Sequence, residues 1–199
     1  MKIMQGKDAL IVVDVQNDFC PGGALGVKNG DEIIPVLNRY IEKFNAARLP
    51  VIATRDWHPE KTTHFKDYGG VWPVHCVQRT HGAAFHPDLK LPQKVILISK
   101  GMAADEDSYS AFHGKDDAGT PLSQLLQELD VERIFVGGLA TDYCVKYTAL
   151  EGIKQGFAVV VLSDAVRGVN LHSDDSEKAL VAVRDAGAAT LGGVDELGF

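Results

Sequence analysis

Cysteine is scarce in this chain. There are three in 199 residues, an odd number that makes no disulfide framework. The expected setting is therefore the reducing cytoplasm. Positive charge is short as well. Twenty Lys and Arg stand against 27 Asp and Glu, a net charge of −7, which leaves no basic footprint for a phosphate backbone and excludes nucleic acid as an expected partner. No apolar run approaches the ~20 residues that span a bilayer. The segment Met1–Gly6 is too short and polar for a secretory signal, so no membrane partner is expected. Internal repeats, low-complexity tracts and linkers are missing too. What remains is 45% apolar and 24% charged, an ordinary globular composition. The length favours one domain over residues 1–199. Such a domain can bury roughly 70% of the surface its unfolded chain exposes, without a disulfide or metal staple.

The apolar residues come in short runs rich in Val and Ile: Ala9–Val13, Val51–Ala53, Val95–Ile98, Ile134–Val136 and Ala158–Leu162. Continuous runs of that length suit strands covered on both faces, as in parallel sheets. Helical periodicity fills the gaps. Ile34, Leu37, Ile41 and Phe44 recur every three or four residues, with Asp31 as the expected cap and Pro35 in the first turn. Further stripes are Leu122/Leu125/Leu126/Leu129, Val145/Thr148/Ala149/Ile153 closed by Gly156, and Ala179/Leu180/Val183/Ala186. Strand alternating with helix predicts an α/β fold, a doubly wound and mostly parallel sheet with helices on both faces. One stretch departs from the pattern. Residues 56–92 hold five of the seven histidines, both tryptophans and four prolines with little periodicity. Loops that long in compact domains are more often functional than idle.

In a doubly wound sheet, ligands bind beyond the carboxyl ends of the strands. The residues ending the expected strands are Asp14, then Arg55-Asp56-Trp57-His58, then Ser99-Lys100, then Gly137-Gly138 followed by Leu139-Ala140-Thr141-Asp142-Tyr143-Cys144. An acid, an acid–histidine pair, a lysine and a thiol would thus converge on one edge. Cys144 stands where a loop enters a helix, with Thr141 or Asp142 as cap. The helix terminus would favour a thiolate there and supply N–H groups for an oxyanion. The competing reading is a buried structural thiol, the one expected of Cys20 and Cys76. Asp14 reads as a proton shuttle or as a turn aspartate. Lys100 reads as a charge between two anions or as a surface lysine. Asp56 and His58 would share a face if the strand continues. With His64 and His75 nearby they suit a divalent metal, unless the histidines are simply solvated. By position alone Phe19, Trp72 and Tyr109 are core aromatics.

Taken together, these stretches resemble the isochorismatase-like cysteine hydrolases, and within them the nicotinamidases, also called pyrazinamidases. The matching segments are VDVQNDFCPGGALGV (13–27), TRDWHP (54–59), THF (63–65), WPVHCVQRTHGAAFHPDL (72–89), KGMAADEDSYSAFHG (100–114) and VGGLATDYCV (136–145). The opening motif is shared widely, whereas DWH, WPVHC and KG…DSYSAF together are more specific. The acidic run Asp105-Glu106-Asp107 carries no specificity signal.

The resemblance implies a catalytic triad of Asp14, Lys100 and Cys144, and metal ligands Asp56, His58 and His75, with the role of His64 open. It implies one divalent ion, zinc first and iron or manganese as alternatives, and no organic cofactor. It implies a cis peptide at Leu139-Ala140 that turns the amides of Ala140 and Cys144 toward a substrate oxygen. Phe19 and Trp72 would flank the substrate ring, with Tyr109 as a further binding residue. The implied reaction is hydrolysis of nicotinamide or pyrazinamide through a cysteine thioester, serving NAD salvage. The partner is then a small molecule, and a homo-oligomer stays open. Three other readings remain: a related cysteine hydrolase of another small amide or carbamoyl compound, a non-catalytic binding module on the same fold, and a metallohydrolase in which Cys144 is incidental.

Overall fold

The Val- and Ile-rich runs become the inner strands of one sheet. The structure, a computed structural model, describes residues 6–106 and 109–197. Met1–Gln5 of the opening segment, and Asp107 and Ser108 of the stretch at 100–114, lie outside the described residues. The strands are β1 (Asp8–Val13), β2 (Val51–Asp56), β3 (Ile96–Lys100), β4 (Arg133–Leu139), β5 (Ala158–Arg167) and β6 (Ala189–Leu191). They run in the order β3-β2-β1-β4-β5-β6, and every neighbouring pair is parallel. The sheet is therefore wholly parallel rather than mostly so. The short β6 was not anticipated. Its three residues carry too little apolar signal to stand out, and only pairing with β5 makes them a strand.

The helices are α1 (Ile34–Ala46), α2 (Leu122–Glu128), α3 (Lys146–Lys154) and α4 (Asp175–Asp185). Alternation along β1 assigns them to the two faces. Leu10 and Val12 pack with Leu37, Ile41 and Phe44 of α1. Ala9, Ile11 and Val13 pack with Leu122 and Leu126 of α2, Ala149 of α3 and Val183 of α4. Helices thus cover both faces, as the alternating pattern predicts. Leu129 and Ala186 fall outside their helices and are exposed, because the last turn of each has already left the core. Asp31 does not cap α1. It lies in a preceding 3-10 turn, Gly30–Ile33, that runs directly into the helix, so Ile33 takes the cap position with no side-chain hydrogen bond.

Residues 57–95 contain one short 3-10 turn, Lys66–Tyr68, and isolated bridges such as His58 with Val77. This segment is nonetheless anchored. Cys76, Ala83 and Leu89 are buried in the same core as α1. Gln16 holds it to the sheet: its amide donates to the carbonyls of Asp56 and Ala83 (2.8 and 2.9 Å) and accepts from the Asp56 N–H (2.8 Å). No helix among the described residues is long and apolar enough to cross a membrane.

Candidate active site

The sheet order places a topological switch beside β1. The chain leaves β1 for β2 on one side and returns to β4 on the other, so the carboxyl ends of β1 and β4 open a crevice of the kind where ligands bind. Close approach there demands glycine. A Cβ on Gly138, which has φ +128°, would lie 2.1 Å from the Val13 carbonyl oxygen. Four side chains then meet from four strand ends. Asp14 follows β1 with φ +50°, a left-handed conformation that aspartate tolerates better than most residues. Asp56 ends β2, Lys100 ends β3, and Cys144 follows β4.

The Lys100 ammonium is the hub. It lies 2.9 Å from Asp14 Oδ2, pairs closely with Asp56 Oδ1, and donates to Cys144 Sγ at 3.5 Å. Lys100 and Asp14 are both 0% exposed and Cys144 is 6% exposed, so these charges sit in a low-dielectric interior. Burial opposes the charge on Lys100, but Asp14 and Asp56 outweigh it and hold the ammonium protonated well above its ordinary range. For Asp56, burial pushes upward, yet Lys100 and His58 overcome it and keep the carboxylate ionised. Asp14 differs. Burial, with Asp56 adding to it, lifts its carboxyl above the usual range against the pull of Lys100 and Thr54. Cys144 is lifted well above an ordinary thiol, first by burial, then by Asp14 and Asp56, with Lys100 opposing. Burial thus works against the thiolate that the position before a helix was expected to favour. Asp14 stands beside the thiol as the group able to take its proton.

The backbone leading to Cys144 also differs from the expectation. Residues 141–145 form a single π turn before α3, and the cap position Ala140 makes no side-chain hydrogen bond. Neither Thr141 nor Asp142 caps it. The buried Asp142 carboxylate instead accepts the N–H groups of Val169 and Asn170 at 2.9 and 2.8 Å. This ties the thiol's turn to the loop after β5. The Leu139-Ala140 peptide is cis, as the resemblance implied.

Beside the thiol the irregular segment delivers three imidazoles. His58, His64 and His75 present ligand atoms within 4.8 Å of one another. Asp56 Oδ2 lies 3.8 Å from His58 Nε2. The strand does not continue to bring this pair together, since β2 stops at Asp56. The bridge to Val77 turns His58 back instead. His58 Nδ1 bonds the Gly101 carbonyl at 3.0 Å and His75 Nδ1 bonds the Pro73 carbonyl at 2.7 Å. Each ring therefore donates from Nδ1 to a carbonyl and turns Nε2 the other way, the orientation metal ligands need. His58 Nε2 is buried and has no hydrogen-bond partner among the described residues. Burial also pushes His75 down to about 4, so its ring is neutral near pH 7. Three imidazoles and one ionised carboxylate fit a divalent cation. Gly101, at φ +63°, makes room for this seat, since a Cβ there would lie 2.4 Å from His58 Cε1. Asp14, Asp56 and Cys144 form a second group with similar spacing, but the Lys100 ammonium already supplies its positive charge.

Thiol and imidazoles border one narrow cavity of about 30 Å³. Phe19, Leu139, Ala140, Asp56, His64 and His75 form its buried part, and Leu25, Trp72, Tyr109, Tyr143 and Val169 its half-buried rim. Phe19, Trp72 and Tyr109 are therefore cavity residues and not only core. A larger trough of about 1010 Å³ runs between α1 and residues 86–92 and touches none of these groups. Sequence reasoning missed Thr54, whose hydroxyl donates to Asp14 Oδ1 at 2.6 Å, and also Leu25, Tyr143 and Val169 of the cavity lining. Thr54 is visible only once β1 and β2 are placed in register. Tyr143 stands inside a matching segment without a signal of its own.

A thiol, a lysine and two aspartates are thus buried together beside three imidazoles, in a fold shared with known hydrolases. The Isochorismatase domain matches residues 8–193, and the chain belongs to that family. A nicotinamidase of Escherichia coli is 40% identical over 197 residues, covering 90% of this chain and 92% of the relative. The pyrazinamidase of Pyrococcus horikoshii, solved in complex with zinc, superposes with a TM-score of 0.86 at 45% identity, over 93% of this chain and 98% of that one. PnC1 from L. infantum, solved in complex with nicotinate, gives a TM-score of 0.84 at 36% identity, over 96% and 95%.

Proposed function

We propose that this chain is a single hydrolase domain that converts nicotinamide, and pyrazinamide, to the carboxylate and ammonia through a thioester on Cys144. In the cell this would return nicotinamide to NAD synthesis, in the cytoplasm. What carries the reading is one juxtaposition: a lysine bound by two buried aspartates, 3.5 Å from a thiol, at the wall of a cavity lined by Phe19, Trp72 and Tyr109 and bordered by imidazoles.

Phe19 and Trp72 hold the substrate ring and exclude water. Asp14 takes the Cys144 proton as Sγ attacks the amide carbon. The developing oxyanion is received by the amides of Ala140 and Cys144. Asp14 passes the proton to the departing ammonia, then takes one from the water that cleaves the thioester and returns it to Sγ as the carbon–sulfur bond breaks. Lys100 keeps its charge throughout, so neither anionic moment at Asp14 or Cys144 stands unpaired in the interior. Asp56, His58 and His75, with His64 beside them, would hold one divalent ion, zinc first and iron or manganese as alternatives. When bound, that ion offers a coordination position to the ring nitrogen and so orients the carboxamide over the thiol.

The test is ammonia release from nicotinamide by purified protein, with metal content measured on the same sample. Pyrazinamide should be cleaved too, because its ring nitrogen is also meta to the carboxamide-bearing carbon. Benzamide, which lacks that nitrogen, should be poor by ~10²-fold, the cost of misplacing an amide by about an ångström. Equal specificity constants for benzamide and nicotinamide would remove the metal from substrate orientation. No ammonia from nicotinamide would overturn the proposal.

A further inference from the structure

The cavity's rim contains a contact that the hydrolysis itself does not use. Trp72 comes from the irregular segment and Tyr109 from the connection after β3, and the Trp72 indole Nε1–H donates to the Tyr109 hydroxyl at 2.9 Å. Both side chains line the cavity and both are half-buried, whereas Phe19 and Cys144 behind them are buried. The pair therefore bridges the outer edge of the space above the thiol. Each ring is fixed from behind. Trp72 meets Tyr143 edge-on at 5.0 Å and 81°, and its own backbone bridges Phe65. Tyr109 stacks on Tyr147 at 5.4 Å and 27°, and tilts against Tyr143 at 5.8 Å. The Tyr109 hydroxyl thus adds a tie at the cavity rim to the bonds that already join these two loops deeper in, the Thr63 N–H to the Ala104 carbonyl at 2.8 Å and His58 Nδ1 to the Gly101 carbonyl at 3.0 Å. The cavity is narrow, about 30 Å³, so a ligand that extends past its outer edge meets Trp72 and Tyr109 directly and must part them.

We propose that Tyr109 is a specificity-determining residue: by holding Trp72 through its hydroxyl it sets the width of the cavity, and so restricts turnover to single-ring pyridine or pyrazine carboxamides against those bearing a fused or bulky ring substituent. The inference rests on the amidase reading above and names which of that site's residues limits substrate size. Breaking the tie removes one neutral hydrogen bond, so the discrimination should relax by ~3–10-fold rather than vanish.

The test compares nicotinamide with quinoline-3-carboxamide, which keeps the ring nitrogen meta to the carboxamide and adds a fused ring. The readout is the ratio of their kcat/KM values, so a general loss of activity cancels. Tyr109→Phe deletes only the hydroxyl and keeps the ring that stacks on Tyr147, which protects folding. The wild-type enzyme should strongly prefer nicotinamide. Tyr109→Phe should raise the bicyclic-to-monocyclic ratio ~3–10-fold, chiefly through a lower KM for the bicyclic amide. Trp72→Phe, which deletes the donor from the other side and also removes bulk, should raise it at least as much. An unchanged ratio in both variants, with nicotinamide still hydrolysed, would overturn the tie and leave the amidase reading standing. Equal turnover of the two amides by wild type would overturn it as well. If wild type releases no ammonia from nicotinamide, the amidase reading fails and this inference falls with it.

Discussion

The two halves of the site are built by opposite means. Asp14, Asp56, Lys100 and Cys144 stand at or just beyond the ends of parallel strands. Their backbones are placed by continuous ladders such as Ile11–Ile52, Val13–Gly138 and Asp56–Lys100. His58, His64, His75 and Trp72 stand on a segment with almost no regular structure, located by individual bonds: His58 N–H to the Cys76 carbonyl at 3.0 Å, Gln78 N–H to the His58 carbonyl at 2.8 Å, and the two Nδ1 contacts. In the proposed reaction the strand-borne half would make and break bonds, with Asp56 facing the imidazoles as well. The loop-borne half would bind. The groups that would exchange a proton thus stand at the ends of paired strands, and those that would face the ligand stand on a segment held by single bonds.

That contrast breaks most sharply at Cys144. Cys144→Ala should lower turnover by more than ~10⁴-fold, since a nucleophile has no substitute, with thermal unfolding close to wild type. Iodoacetamide should inactivate wild type, with substrate protecting. Activity persisting in Cys144→Ala would reduce the thiol to a bystander. Asp14→Asn keeps the shape and removes the base, so kcat should fall by ~10²–10⁴-fold while metal content stays unchanged. Loss of metal in that variant would show that the halves are not separable.

Lys100→Met probes stability as much as chemistry. It leaves Asp14 and Asp56 facing each other in the interior, and stripping one partner from a buried ion pair costs ~3–5 kcal/mol, measurable by urea titration. Because Lys100 opposes the upward shift of Cys144, the thiol of any folded Lys100→Met protein should rise further. Its alkylation profile should then move to higher pH. A profile that does not move would remove Lys100 from its assigned part.

On the loop-borne side the effects should be smaller and of a different kind. His75→Ala should cut bound metal and lower nicotinamide hydrolysis by ~10²-fold, yet leave Cys144 alkylation by iodoacetamide near wild type. Chelation should reproduce this, and a divalent ion restore it in wild type only. The smallest effect is expected at the seam. Asp142→Asn keeps one acceptor for the two N–H groups at Val169 and Asn170, so the cavity wall loosens and KM should rise ~3–10-fold, the weight of one hydrogen bond, with kcat nearly constant. A fall in kcat instead would mean that Asp142 steadies the thiol and not the wall.

The strand-borne half was the legible one. A short apolar run ending in a polar residue announces a strand end, and four such ends at Asp14, Asp56, Lys100 and near Cys144 followed from counting. The imidazoles were legible as a concentration of histidines, and their grouping came from motif resemblance. Nothing local says that His64 and not His81 joins His58 and His75, because irregular backbone has no period from which to read direction. The caps failed for a related reason. Asp31 and Asp142 have the right chemistry for helix termini, but a 3-10 turn runs directly into one helix and a π turn into the other. In the second case a loop 27 residues further on claims the carboxylate.

By itself the sequence determined the alternation of strand and helix, the two-faced core and the residue types at the strand ends, because periodicity and composition are local properties of a chain. Only the tertiary structure decided how deeply the site is buried. Asp14, Lys100 and Cys144 are carried into the interior together, and there the loss of water pushes the thiol upward against the pull of the Lys100 ammonium. Desolvation grows with the depth to which a group is carried, and no stretch of sequence specifies that depth.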